Sequence, residues 1–182
     1  MGIAVGALEL NSIASGINAG DAMLKAAQVS LIMAQPVCAG KYILIITGDT
    51  ASVETSIKTG IQEGGVYVVD QMIIPSIDPS VIKAIAGATD VPQQEAVGII
   101  ETFSLASSIV AADTAVKAAA VDLIEVRLGR GLGGKSFVII TGSVSEVKAS
   151  ANAAKSRLGE DGMMVNSVVI PNLHPDMFRE IL

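Results

Sequence analysis

The chain has 182 residues, of which 51% are apolar, 16% charged and 3% aromatic, and it carries a formal net charge of −6. This is a globular composition whose core must be built from Ala, Val, Ile, Leu and Met, and an acidic balance without clustered Lys and Arg excludes a nucleic-acid surface. Mean hydropathy is high at +0.58, yet no apolar run approaches the roughly 20 residues of a membrane span, so a membrane protein is excluded too.

The first six residues, Met1-Gly2-Ile3-Ala4-Val5-Gly6, have no basic n-region and no small-residue cleavage site, which predicts a cytosolic protein without an export signal. Residues 3–10 read as a mostly apolar strand. Residues 12–28 read as an amphipathic helix with Ala22, Ala26 and Val29 on one face. Two further apolar strands, 29–35 and 42–47, are joined through Pro36-Val37-Cys38-Ala39-Gly40. A helix over 50–63 ends at Gly64-Gly65, a strand covers 66–74, and a short helix begins with Asp78 as its N-cap and Pro79 in its first turn. The order βαββαβ plus a short helix predicts an α/β (α+β) domain, ferredoxin-like or a permuted relative, with the helices on one face of a largely antiparallel sheet.

The pattern then repeats. Ala4-Val5-Gly6-Ala7-Leu8-Glu9 returns as Ala96-Val97-Gly98-Ile99-Ile100-Glu101, and Asp21-Ala22-Met23-Leu24-Lys25-Ala26-Ala27 returns as Asp113-Thr114-Ala115-Val116-Lys117-Ala118-Ala119. Gly40-Lys41 with Ile45-Ile46-Thr47-Gly48 returns as Gly134-Lys135 with Ile139-Ile140-Thr141-Gly142, two residues later than that spacing requires, so the second copy carries an insertion just before Gly134. Ile74-Pro75-Ser76-Ile77-Asp78-Pro79 matches Ile170-Pro171-Asn172-Leu173-His174-Pro175. The chain is a duplication, with domains expected at 1–90 and 95–182 and a linker near Asp90 to Glu95. Its excess of apolar residues predicts contacts between copies of the chain.

Several motifs invite a chemical reading. The run Gly129-Arg130-Gly131-Leu132-Gly133-Gly134-Lys135-Ser136 has the letters of a phosphate-cradling loop, and a nucleotide-binding enzyme is one reading of it. Such loops work by ending in a helix N-terminus, whereas Phe137-Val138-Ile139-Ile140-Thr141 is a β-branched strand, so a glycine-rich turn is the favoured reading. Glu9 and Glu101 occupy equivalent strand ends, and Asp21/Lys25 and Asp113/Lys117 are equivalent i, i+4 pairs; duplicated positions favour shared structural roles over a catalytic pair. The single histidine, His174, stands where Asp78 starts the helix of the first copy and reads as a capping or surface residue. No catalytic residue is assigned. Cys38 is the only cysteine, which rules out an intrachain disulfide and fits a reducing compartment. A free cysteine is ordinarily a small buried hydrophobe, but this one sits between Pro36 and Gly40, outside either strand's pattern. One thiolate cannot hold a metal cluster, whereas an oligomer with a symmetry axis through this loop gathers several.

The A-V-G-x-x-E strand, the helix at Asp21 to Ala27, the Gly-Lys that precedes an apolar strand and the closing Ile170 to Pro175 together resemble the tandem-domain shell proteins of bacterial microcompartments, over essentially the whole chain. The loop from Pro36 to Lys41 is similar to that of the iron–sulfur members found in propanediol-utilising compartments. The resemblance implies a non-enzymatic shell protein, a homotrimer of six pseudo-hexagonal domains around one pore, lying among other shell proteins. It further implies that Cys38 of three chains holds one [4Fe-4S] cluster per trimer, serving electron transfer or cluster exchange with an encapsulated or cytosolic redox enzyme. Val37, Cys38, Ala39, Gly40, Arg130, Gly131, Leu132 and Gly133 are the implied pore lining, and Lys25 and Lys117 the implied edge lysines between oligomers. Ser76 and Asn172 depart from the Arg that many members carry after Ile-Pro. A plain shell protein with a metabolite-conducting pore and no cluster is the alternative.

Overall fold

The structure, a computed structural model, describes residues 3–87, 89, 95–129, 131–159 and 162–181. The first copy runs β1 (Ala4–Leu10), α1 (Ile13–Ala26), β2 (Ser30–Val37), β3 (Lys41–Gly48), α2 (Thr50–Gly64), β4 (Val68–Ile74) and α3 (Pro79–Ile85). Its sheet has the order β2-β3-β1-β4 with every pair antiparallel. This is the predicted βαββαβ arrangement. The strands β1 and β3 are nearly continuous apolar runs because both of their faces are buried.

Polar side chains set where the helices begin. Ser12 accepts the Ser15 N–H at 3.3 Å to start α1, and Asp49 accepts the Ser52 N–H at 2.9 Å to start α2. Helix α2 stops where predicted, at Gly65, whose φ of 51° is left-handed and whose N–H returns to the Ile61 carbonyl. The buried stripe of α1 differs from the expected Ala22, Ala26 and Val29: it is Gly16, Ala19, Gly20 and Met23. The helix lies so close to the sheet that a Cβ on Gly16 would stand 2.6 Å from the Tyr42 Cβ, and one on Gly20 2.8 Å from Leu44 Cδ2. Contact therefore selected the smallest residues rather than the most apolar ones. A second difference is the start of β4, placed at Val68 because Gly65–Tyr67 forms a single 3-10 turn that leaves Val66 in solvent.

The second copy runs β5 (Ala96–Thr102), α4 (Leu105–Ala118), β6 (Asp122–Leu128), β7 (Ser136–Gly142), α5 (Val144–Gly159), β8 (Met164–Pro171) and α6 (Pro175–Glu180), with sheet order β6-β7-β5-β8. The duplication extends to the irregularities. The register shifts between Leu31 and Met33 and between Glu9 and Leu10 recur between Leu123 and Glu125 and between Glu101 and Thr102.

The chain divides into two compact units that do not follow the repeat. The first holds residues up to Ile77 together with Ser104–Ser107 and Gly129–Gly134; the second holds Asp78–Phe103, Ser108–Leu128 and Lys135 onward. Helix α3 thus belongs to the second unit, where it packs on β6. There the Asp78 N–H donates to Asp113 Oδ1 at 2.9 Å and Thr89 Oγ1 to the Ile124 carbonyl at 2.7 Å. Residues 90–94 of the expected linker lie outside the described residues. Among the described residues no helix is long and apolar enough to cross a membrane.

Candidate pore loop

Strand β2 ends at Val37, paired with Lys41 of β3, and the connection between them is one tight turn, Cys38–Gly40. Ala39 and Gly40 both have left-handed backbones, with φ of 64° and 71°. Nothing lies within 4 Å of where a Gly40 Cβ would stand, so this glycine answers to conformation and not to space. Ala39 holds the same conformation with a side chain, a cost that a tight surrounding must offset.

The surrounding, inside the first compact unit, is the Gly129–Gly134 segment. Gly129, Gly131, Gly133 and Gly134 all have positive φ, between 60° and 87°. Cys38 donates its N–H to the Gly129 carbonyl at 2.9 Å, and Gly131 donates its N–H to Cys38 Sγ at 2.8 Å. Lys41 Nζ reaches the Gly134 carbonyl at 3.3 Å, and a Cβ on Gly134 would stand 3.4 Å from that of Ala39. Two loops at equivalent places in the repeat thus lie backbone to backbone, and glycine in the second is what permits it. The thiol is half-exposed; Ala39, Gly40, Gly131 and Gly133 are exposed, Leu132 is half-buried, and Val37 is buried beneath the turn. Arg130 lies outside the described residues.

Below the turn is an ion pair that sequence reading left in two pieces. Lys41 Nζ stands 2.6 Å from Glu9 Oε1, and the other carboxylate oxygen, Oε2, accepts the Leu105 N–H at 2.7 Å. Burial pushes the Glu9 carboxyl above its ordinary value, while the bonds from Lys41 and Leu105 pull it back part of the way. Lys135 pairs with Glu101 in the same manner in the second copy. The signal was available: Glu at the end of the first strand and Lys at the start of the third recur together, and antiparallel pairing of those strands brings the two ends side by side. Each glutamate is engaged by its own lysine.

The phosphate-loop letters have no phosphate-loop structure, since Lys135 leads directly into β7 and offers no helix N-terminus. His174 caps α6 as expected, its Nδ1 accepting the Asp176 N–H at 3.2 Å. Lys25 is exposed and bonded to Asp21 at 2.5 Å, and Lys117 is bonded to Asp113 at 2.6 Å. Among the described residues no group of three His, Cys, Asp or Glu could hold a metal ion, so one chain offers a metal cluster one thiolate.

The BMC domain family matches the chain twice, over residues 4–77 and 96–173. The chain is 43% identical over all 182 residues to the bacterial microcompartment shell protein PduT of Citrobacter freundii, covering 99% of that protein. It is 40% identical over 86 residues to the shell protein PduA of the same organism, covering 47% of this chain and 89% of PduA. A crystal structure of a microcompartment protein from Desulfitobacterium hafniense shares 51% identity and superposes with a TM-score of 0.88, over 98% of this chain and 99% of the other. A fused permuted hexameric shell protein of the RMM microcompartment shares the fold at 22% identity and a TM-score of 0.67, over 87% of this chain and 82% of its own. With two BMC domains in tandem and a shell protein matched from end to end, the chain belongs to the bacterial microcompartment shell proteins and is a structural component of such a shell.

Proposed function

We propose that three copies of this chain close into a ring of six domains around a pore, and that one Cys38 thiolate from each copy holds a [4Fe-4S] cluster there. The observation that carries this is the setting of Cys38: a half-exposed sulfur at the head of a left-handed turn, already accepting one backbone N–H. Amide bonds of this kind stabilise thiolate sulfur and are among the levers that set a cluster's potential. The donor set fits on one condition. A single chain supplies one thiolate, so a threefold axis beside the loop is required, which would ligate three irons and leave the fourth to water or an outside ligand. The fused relative described as hexameric supports six domains in a ring, hence three tandem chains.

When bound, the cluster supplies one-electron transfer, and the proposed role is electron transfer or cluster exchange across the shell with a redox enzyme on one side. The chain's own residues position the sulfur. Pro36 and Val37 finish β2, Lys41 anchors the far side of the turn on buried Glu9, and the Gly129 carbonyl and Gly131 N–H fix the Cys38 backbone and thiol. The test is iron and acid-labile sulfide on protein purified without oxygen, together with its visible absorption, beside Cys38→Ser. About four irons per three chains in the wild type and none in the variant support the cluster. Assembled protein without iron in either form leaves the metabolite-conducting pore as the function.

A further inference from the structure

A buried carboxylate stands behind the pore loop, inside the first compact unit. Glu9 is paired across the sheet with Ile43 of β3 and Asp70 of β4, and its side chain is wholly buried. Lys41 Nζ, from the start of β3, stands 2.6 Å from Oε1; the Leu105 N–H, from the first residue of α4, donates to Oε2 at 2.7 Å; and Asp70 adds a like charge from β4. Asp70 is itself turned to α4, where its Oδ2 accepts the hydroxyls of Ser104 and of Ser107, the latter at 2.8 Å.

The connection from Glu9 to the loop is a single side chain. Lys41 follows the turn Cys38–Gly40 immediately, and besides Glu9 its Nζ reaches the Gly134 carbonyl at 3.3 Å. The stem of Lys41 lies along that residue: a Cβ on Gly134 would stand 3.5 Å from both Cε and Nζ. Gly134 ends the segment whose Gly129 carbonyl takes the Cys38 N–H and whose Gly131 N–H rests on Cys38 Sγ. Glu9, Lys41, the glycine segment and the thiol therefore form one chain of contacts. The two charges differ in freedom. Glu9 is 0% exposed and Lys41 16%, so the ammonium has a way to water and the carboxylate has none. A buried carboxylate is stable as a charge only while its partners are in place, and burial already works against the charge here. On taking up a proton the carboxyl keeps an oxygen for the Leu105 N–H but no longer draws a cation beneath the loop.

We infer that Glu9 is a proton-operated latch on the pore loop: charged, it holds Lys41 against the Gly134 carbonyl, and protonated, it releases Lys41 and loosens the glycine segment from Cys38. The Gly131 N–H on the sulfur is the far end of the latch. Amide bonds to sulfur are among the levers on a metal centre's potential, so a proton gained at Glu9 is felt at whatever Cys38 holds. The second copy has the pair but no latch: Lys135 and Glu101 are 44% and 32% exposed, and water serves either charge when the other is lost. The inference rests on reading this turn as the pore loop and adds its regulation.

The test uses metal-free full-length protein labelled with carbon-13 at the cysteine Cβ. Cys38 is the only cysteine, so one NMR signal reports the thiol and its surroundings. Between about pH 4 and 10 the wild-type signal is expected to move in two steps, one for the thiol itself and one at lower pH for the latch. The lower step should vanish in Glu9→Gln and persist in Glu101→Gln. Lys41→Gln, which opens the latch at every pH, should show at about pH 7 the signal position that wild type reaches only in acid. Circular dichroism confirms that each variant keeps its helices. A wild-type signal that moves only with the thiol, a lower step that survives Glu9→Gln, or one lost in Glu101→Gln overturns the latch. Should Glu9→Gln fail to fold, the wild type and Lys41→Gln decide, and a Lys41→Gln position unlike that of acid wild type overturns the latch as well. Iron on protein purified without oxygen decides the cluster separately, so either can fail while the other stands.

Discussion

Glu9–Lys41 and Glu101–Lys135 are the same two residues at the same places in the same motif, yet they live in different surroundings. In the first copy the side chains are 0% and 16% exposed, in the second 32% and 44%. Identical sequence therefore fixes which groups pair, while what each pair is worth depends on what covers it. An exposed pair contributes little because water and salt already serve both charges. A buried one is held by mutual need: removing either partner strands the other in a low dielectric.

The largest expected effect follows from that difference. Lys41→Met leaves the buried Glu9 carboxylate with the Leu105 N–H alone and should destabilise the protein by about 3–5 kcal/mol, read as a shift in the denaturant midpoint. Lys135→Met should cost about 1 kcal/mol or less. Equal effects from the two variants would sink the contrast. Glu9 sharpens it through pH. Its folded value lies above the ordinary one of 4.5, so the folded state holds that proton more tightly. Its contribution is fully present below pH 4.5 and is lost as pH rises through the folded value. Stability measured against Glu9→Gln over this range should decline with rising pH; a rise would show that Lys41 and Leu105 outweigh burial.

A second contrast concerns packing. Gly16 admits Tyr42 so closely that a Cβ would stand 2.6 Å from three of its carbons' nearest member, whereas the counterparts in the second copy are Ser108 and Ser136, both buried. Both positions hold small residues in the second copy, so the close fit of glycine against tyrosine is particular to the first. Gly16→Ala should therefore cost about 1–3 kcal/mol by overpacking, which thermal unfolding of the variant checks.

These contrasts also show what the sequence could disclose. The order of elements along the chain, helix starts near Ser12, Thr50 and Asp78, the stop at Gly65 and the glycine-rich character of residues 129–134 were legible because local chemistry sets them: a side-chain oxygen for an orphan N–H, or a left-handed residue at a helix end. The buried face of α1 was not, because hydropathy cannot see that a helix resting on a sheet at close range needs Gly16 and Gly20. Nor was the exchange of segments that gives α3 to the second unit and Ser104–Ser107 to the first. Duplication was visible, but which copy's residues complete which contact is a property of three dimensions. The candidate site divides the same way: Cys38 stood out from its neighbours in sequence, whereas the Gly131 N–H on its sulfur depends on a loop 93 residues away.

The smallest contrast is between the two caps of the short helices. Asp78 accepts the Ser80 N–H at 2.9 Å and its hydroxyl at 2.6 Å, and these bonds hold its carboxyl below the ordinary 3.8. His174, at the same place in the second copy, accepts one N–H at 3.2 Å through Nδ1 and is exposed. Asp78→Ala should cost about 1 kcal/mol at neutral pH, and His174→Ala a few tenths. Because the folded value of Asp78 is depressed, its contribution is present above 3.8 and lost as pH falls through the folded value. The penalty of Asp78→Ala should then shrink in acid, since protonation costs the wild type the same interaction that the variant lacks. A penalty that stays constant down to pH 2 would mean that the cap acts through backbone shape alone, and that the carboxylate adds nothing a neutral acceptor could not.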